Sequence, residues 1–268
     1  MASLAAQTDS NFSVCVVDDC GTESIKEICE LFPMLNLRIV RNPKNLGCGL
    51  SRQSAIDTSE ADYLITLDSD DMLMPMAIEI FRRKAGARPD IDFFVSWVCN
   101  ERYNNGEKVY ITVKDGYTFA GGKMYKSSFL RKYNIRNCEE FSRFADDTYI
   151  NMLCYELGTT EIIPIPLYLY TCNPESVTNK NGGKDYWSDV VPKFLRCIEA
   201  TSEIICRYKD ADEIVHLDGT LMYIKNVVKS RGQKNEIMAY NKLLNNLKAM
   251  GRTNGVSDAY LNLEGGIK

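Results

Sequence analysis

The residues of this chain best suited to chemistry are carboxylates, gathered in three clusters. Asp68-Ser69-Asp70, with Asp71 behind it, closes the apolar run 63–67. Two acids spaced two apart at a strand end can both point toward a polyphosphate. One would reach a ribose or nucleotide hydroxyl, and the other would hold a divalent ion bridging phosphate oxygens. Asp18-Asp19 closes a second apolar run, and Asp146-Asp147 heads a helical stretch. A carboxylate there, beside a hydroxyl-bearing acceptor, could take up a proton as general base. Between the first two clusters runs Asn45-Leu46-Gly47-Cys48-Gly49-Leu50-Ser51-Arg52, a flexible loop entering a helix, which could set Arg52 against a diphosphate. Plainer readings stand beside these: a solvated turn or N-cap for Asp68-Ser69-Asp70, an ordinary strand-to-helix connection for the loop, and acids suiting the helix dipole at Asp146-Asp147.

Other catalytic groups are scarce. His216 is the single histidine and lies in an acidic helical stretch, which disfavours both a zinc site and histidine base catalysis. The ten cysteines contain no C-x-x-C pair and are too dilute for a disulfide scaffold, so they are expected to be reduced and mostly buried. With 268 residues, 45% hydrophobic and 25% charged, the chain is neither disordered, collagenous nor coiled coil. A net charge of −4 argues against non-specific nucleic-acid binding by the whole molecule. No apolar run reaches spanning length and no basic-then-apolar leader opens the chain, so a cytoplasmic location is expected.

The elements that must position these acids alternate. Residues 12–19 and 63–67 read as strands buried on both faces, with 37–40 as a shorter strand. Stretches 22–32 and 51–59, and a segment starting near Pro75, read as helices. This βαβ spacing predicts an α/β fold with a mainly parallel sheet whose ligand site lies beyond the C-terminal strand ends. Residues 92–99 and 108–113 read as strands joined at Asn104-Asn105-Gly106, and 121–133 and 146–157 as helices. Pro164 and Pro166 interrupt the strand 161–171, which is expected at a sheet edge. From residue 184 the chain turns helical. A division into a catalytic domain, 1–180, and a helical extension, 181–268, follows.

The ordered set Ser3-Leu4-Ala5-Ala6-Gln7-Thr8, Val16-Val17-Asp18-Asp19, Asn45-Leu46-Gly47, Ser51-Arg52, Leu67-Asp68-Ser69-Asp70-Asp71, Asp146-Asp147 and Leu167-Tyr168-Leu169-Tyr170 resembles the inverting family 2 glycosyltransferases of the GT-A, Rossmann-like fold. The resemblance implies transfer of a sugar from a nucleotide-diphosphate donor to an acceptor hydroxyl, with Mn²⁺ or Mg²⁺ and inversion at the anomeric carbon. It implies that Asp19, next to Asp18, contacts the base, that Asp68 lies near the ribose and that Asp70 is the metal ligand. Arg52 and Ser69 would complete the donor site. Asp147 would be the catalytic base, and Gly121, Gly122 and Asp146 would line the acceptor pocket.

The chain departs from that family at three places. The Arg-x-His element that commonly follows the Tyr168-Leu169-Tyr170 strand is replaced by Thr171 and Asn173, and no Gln-x-x-Arg-Trp signature of processive synthases occurs, which favours single-sugar transfer. The family also opens with a further strand upstream of the Gln7-Thr8 equivalent, where this chain has six residues. That strand lies between those matching 12–19 and 63–67, so its loss predicts an internal hydrogen-bonding slot. Met1 is accordingly expected to be an internal methionine of a longer natural chain. Residues 221–252 hold seven bases against one acid, with Ile237, Tyr240, Leu244 and Leu247 at helical spacing. This is either a helix packed on the rest of the protein or a peripheral contact with a membrane bearing a lipid-linked acceptor, or with a polyanionic one. A glycan or glycolipid acceptor is expected, and specific nucleic-acid binding is not. The competing functions are a nucleotide-sugar-binding module without turnover and, less favoured for want of a Gly-rich triphosphate loop, a nucleotidyltransferase.

Overall fold

The computed structural model describes residues 1–114, 121–173, 184–209 and 234–249. His216 and half of the basic stretch 221–252 lie outside them. Two compact units are present: residues 1–151 with 158–174, and residues 152–157 with 175–268.

The first unit begins with α1 (Ala2–Ala5), β1 (Val14–Asp18), α2 (Ile25–Glu30), β2 (Leu37–Arg41), α3 (Cys48–Asp57), β3 (Tyr63–Ile65), β4 (Met72–Leu73) and α4 (Ala77–Ala87). It continues with β5 (Phe93–Asn104), β6 (Glu107–Val113), β7 (Lys123–Lys126), α5 (Ser127–Lys132), a 3-10 turn at Glu139–Phe141, α6 (Asp146–Leu157), whose residues 152–157 are counted with the second unit, and β8 (Thr160–Tyr170). The α/β class is as the sequence implied, but the sheet is mixed. Parallel pairing is confined to β1–β2 and β5–β8, while β3–β7, β5–β7, β5–β6 and β4–β8 are antiparallel. The strands run β3-β7-β5-β8-β4, with β6 appended to β5 and β1-β2 as a separate parallel pair. Among the described residues β1 thus pairs only with β2 and β3 only with β7. Every apolar residue of both strands is half-buried rather than enclosed, although their continuous apolar runs are those of strands covered on both faces.

Two elements differ from the sequence expectation. The first half of 121–133 is strand: Lys123-Met124-Tyr125-Lys126 fits between β3 and β5, and the helix starts only at Ser127. Strand β8 is internal, bonded to both β5 and β4. Its prolines are accommodated because the register shifts beside Trp97, so Pro164 and Pro166 sit at an irregularity where ladder donors are not required.

One face of the sheet packs on α4. Ala77, Ile78, Phe81 and Ala85 recur at helical spacing and are buried with Phe94, Val98, Met124, Ile163 and Leu167. A fully buried side chain such as Phe81 contributes about 1.5–3 kcal/mol. The opposite face carries Phe93 stacked on Tyr125 at 5.1 Å. There the Tyr125 hydroxyl donates to Asn151 Oδ1 at 3.2 Å, tying the sheet to the middle of α6. The N-terminal segment is pinned by Gln7, whose amide donates to the Ser3 and Met74 carbonyls and accepts from Ile78 N.

In the second unit α7 (Lys184–Ile205) packs on α8 (Lys234–Ala249). Tyr240, Leu243, Leu244 and Leu247 are buried, and Asn246 Nδ2 donates to Glu199 at 2.9 Å. The apolar face of this helix is therefore a packing face. No described helix is long and apolar enough to cross a membrane. The cysteines are all free, but only Cys29, Cys154 and Cys197 are buried, and Cys20 and Cys48 are exposed. Polar strand-end and loop positions outweigh the usual preference of this side chain for the core.

Candidate active site

Three segments distant in sequence meet through one guanidinium. Arg52, on α3, pairs with Asp68 beyond the end of β3 and with Asp146 at the head of α6. Burial alone would lower its pKa, but the two carboxylates raise it, so the charge is held firmly. Helix α3 approaches α6 this closely because Gly49 lacks a side chain: a Cβ there would lie 2.8 Å from Asp146 Cβ and 2.9 Å from Ser142 Cα. Gly47, at φ +86°, makes the turn into the helix, and a Cβ would meet the Ser142 carbonyl at 2.8 Å.

The loop ahead of α3 is clasped from both sides. Asp19 accepts from Asn42 Nδ2 at 2.8 Å, Leu46 N at 2.7 Å and Gly47 N at 2.8 Å. Partial burial pushes its carboxyl upward, but these donors outweigh it and hold it below the ordinary aspartate value. Asp18 accepts from Gly21 N at 2.8 Å and pairs with Arg41. From the other side, Ser142 Oγ donates to Leu46 O at 2.7 Å and Arg143 donates to Asn45 O at 2.7 Å. The Asp18-Asp19 cluster thus holds the strand end and the loop in place.

Asp147 follows Asp146 on α6. Burial raises its carboxyl above the ordinary aspartate value, while Arg52, a hydrogen bond from Thr148 N at 2.7 Å and the charge of Lys123 pull the other way. Burial likewise raises Asp146, against Arg52, with Asp147 and Asp68 adding to the rise. The residue before the pair, Ala145, has φ +64°, a left-handed conformation costing a non-glycine residue about 1–3 kcal/mol. Arg52, Asp146 and Asp147 line one small cavity together with Thr66, Tyr125 and Ile150.

Ser69 and Asp70 stand exposed beyond β3, with Asn173 Nδ2 donating to Asp70 Oδ2 at 3.1 Å. Asp71, behind them, is buried and was not singled out from sequence. It accepts from the Tyr168 hydroxyl at 2.6 Å and from Thr171 N at 2.8 Å. Burial lifts its carboxyl to about 6 against these two hydrogen bonds. The Tyr168 hydroxyl also accepts from Asp68 N at 3.3 Å, so strand β8 fixes the acidic loop through one phenol. The Tyr168 ring lies under Gly121, where a Cβ would come within 2.0 Å of Cζ. Gly122, at φ +75°, faces Ser96 and Val98. Lys123, fully buried, donates to Gly121 O at 3.4 Å. Tyr168 is legible in the sequence only as part of the Leu167-Tyr168-Leu169-Tyr170 segment, and Lys123 carries no signal of its own.

Among the described residues no three metal-ligating side chains converge. A divalent ion bound with a diphosphate needs only one or two carboxylates from the protein, and the exposed Asp70 fits that requirement.

Acids beyond the end of β3 facing acids at a helix head, on a mixed sheet flanked by helices, define a GT-A glycosyltransferase architecture. S. aureus TarS has the same fold: one crystal structure superposes with TM-score 0.69 at 20% identity, covering 97% of this chain and 47% of that one. A TarS structure in complex with UDP-GlcNAc gives TM-score 0.62 at 19% identity, covering 90% and 76%. The model of glycosyl transferase family 2 matches residues 1–149, and the chain belongs to that family. An uncharacterized glycosyltransferase of Haemophilus influenzae is 35% identical over 106 residues, 40% of this chain and 35% of that protein. Another, from Methanocaldococcus jannaschii, is 28% identical over 146 residues, 48% and 50%. The matched segments therefore span a third to a half of these relatives.

Proposed function

We propose that this glycosyltransferase moves a single sugar from a nucleoside-diphosphate sugar to a glycan or lipid-linked hydroxyl, with inversion and with assistance from Mn²⁺ or Mg²⁺. The observation that carries the reading is the Arg52 bridge, which links the Asp68-Ser69-Asp70 loop to the Asp146-Asp147 helix head. Asp70 would hold the ion against the diphosphate, and the ion would offset charge on the departing nucleoside diphosphate. Asp19 would keep its remaining acceptor capacity for the base while bracing the 45–47 loop. Burial raises the Asp147 carboxyl above the ordinary aspartate value, which increases its affinity for a proton in the sense a general base needs. The acceptor hydroxyl would lose a proton to Asp147 as it attacks the anomeric carbon, and the donor C–O bond would break on the opposite side. A UDP-sugar, UDP-GlcNAc first, is the donor to test, since TarS has been crystallised with it.

Binding without turnover is favoured by one observation, the unpaired second edges of β1 and β3 within the described residues. A thermal-shift comparison of UDP, GDP, CMP and UDP-GlcNAc, each with and without Mn²⁺, tests the donor side. The proposal expects a shift with one base that grows with Mn²⁺ in wild type and loses the Mn²⁺ increment in Asp70→Ala. Equal shifts in both proteins would remove Asp70 as the metal ligand, and no shift with any nucleotide would remove the donor site.

A further inference from the structure

Lys123 is a fully enclosed ammonium beside the site, and the reaction above gives it no task. It lies on β7 two residues before Tyr125, so the two side chains leave the sheet on the same face. Met124, between them, belongs to the core on the other face. The face of Lys123 and Tyr125 is turned toward α6, where the Tyr125 hydroxyl donates to Asn151 Oδ1 at 3.2 Å. Asp147 stands four residues before Asn151, one turn away on the same side of that helix. Two residues of strand advance about 7 Å and four residues of helix about 6 Å. The contact between Tyr125 and Asn151 therefore has a neighbour one step back on both elements, in which Lys123 faces Asp147. In keeping with that placement, the Lys123 charge acts on the Asp147 carboxyl.

The charges around this pair explain why a cation is needed on β7. Asp68 and Asp146 take up the two terminal nitrogens of Arg52, which enters from α3. Asp147 is a third acid in the same neighbourhood, with Asp146 beside it on α6 and Asp68 close enough to oppose its ionisation. Arg52 attracts it from outside those two ion pairs, and Thr148 N donates to its Oδ1 at 2.7 Å. Lys123 adds a second positive charge from the sheet side. An enclosed ammonium is itself costly to hold away from water unless a carboxylate compensates it, so the two groups favour each other's charged form. The Lys123 ammonium also donates to Gly121 O at 3.4 Å, which anchors it at the turn ahead of β7.

We propose that Lys123 is a positioning residue for the base of the reaction: its ammonium, seated on the sheet side of Asp147, keeps that carboxylate ionised and turned to the cavity it lines with Arg52 and Tyr125. Being fully enclosed, Lys123 acts through Asp147 and not on a substrate. The proposal rests on the glycosyltransferase reading and deepens it by naming the group that readies the base.

The test compares wild type, Lys123→Met and Lys123→Arg as full chains, following UDP release from UDP-GlcNAc with Mn²⁺ from about pH 5 to 9. A base works only when proton-free, and removing a nearby cation raises its pKa. The acidic limb of the kcat profile should therefore move upward by about one pH unit or more in Lys123→Met and stay near its wild-type position in Lys123→Arg. A fall in kcat by the same factor at every pH, with the limb in place, would reduce Lys123 to packing and overturn the proposal. Urea midpoints of Lys123→Met, Asp147→Asn and the double variant give a readout that needs no turnover. Asp147→Asn should change the midpoint more favourably in the Lys123→Met background than in wild type, because there it removes an acid left without its cation. Equal changes in the two backgrounds would overturn the pairing. If Lys123→Met alone does not fold, regained folding in the double variant supports the pairing, and failure of both overturns it. Coupling in urea without UDP release at any pH would support the pairing and sink the catalytic reading beneath it.

Discussion

Replacing Arg52 by alanine tests the bridge on which the site is built. The side chains involved are largely withdrawn from water: 20% exposed for Arg52, 12% for Asp146 and 35% for Asp68. Removing one partner of a buried ion pair costs about 3–5 kcal/mol, because the charge left behind has no compensation, whereas an exposed pair is worth about 0–1 kcal/mol. Asp68, being over a third exposed, stays partly solvated, which places Arg52→Ala near the lower end, at about 3 kcal/mol. Urea denaturation at neutral pH reads this as a lower midpoint with unchanged slope. The pH dependence supplies a second, signed check. Asp146 and Asp147 are both raised above the ordinary aspartate value of 3.8, and Arg52 opposes the rise in each. A raised carboxyl favours the fold at low pH and loses that contribution as pH climbs through its folded pKa. Without Arg52 both values move higher still, so the penalty should be largest at neutral pH and shrink toward pH 4. Arg52→Ala/Asp146→Asn should recover part of the loss, with a coupling energy of about 2 kcal/mol. A loss below about 1 kcal/mol that does not vary with pH would mean that the bridge is an ordinary surface contact.

Other perturbations follow from the same geometry. Gly121→Ala places a Cβ 2.0 Å from the Tyr168 ring and should lower stability by about 1–3 kcal/mol, read as a drop in melting temperature; an unchanged melt would show that the ring is not packed there. Tyr168→Phe removes the hydroxyl that serves both Asp71 and Asp68 N. It should cost about 1–3 kcal/mol and weaken nucleotide-induced thermal shifts, whereas wild-type shifts would show that the acidic loop does not depend on β8. Gly47→Ala, at φ +86° and against the Ser142 carbonyl, should destabilise by more than the about 1 kcal/mol expected from conformation alone, as measured in urea.

Much of the site was legible because buried strands announce themselves by continuous apolar runs that stop at acids. Asp18-Asp19 and Asp68-Ser69-Asp70 could therefore be placed at strand ends, and Asp146-Asp147 at a helix head whose bounds the structure keeps. The meeting of Arg52 with both Asp68 and Asp146 was not legible. It depends on Gly49 letting α3 approach α6, a distance no spacing along the chain encodes. The contact between Tyr168 and Asp71 is not legible for a similar reason, since a tyrosine in an apolar strand reads as core until its hydroxyl is seen to hold a buried carboxylate. The stretch 121–133 reads as one helix, whereas strand β7 is fixed by its pairing with β3 and β5, which no local pattern encodes, and Lys123 is fully enclosed there. Strand β8 was placed at an edge because of its prolines, and the register shifts that absorb them arise only on pairing with β5.

In the proposed reaction Asp147 takes the acceptor proton at a donor site assembled by Arg52. The most direct measurement is the rate of UDP release from UDP-GlcNAc with Mn²⁺, in wild type and in Asp147→Asn, at equal and saturating UDP-GlcNAc occupancy. A lost general base should slow turnover by about 10²–10⁴-fold while nucleotide binding stays as in wild type. Turnover of Asp147→Asn at the wild-type rate would contradict the account.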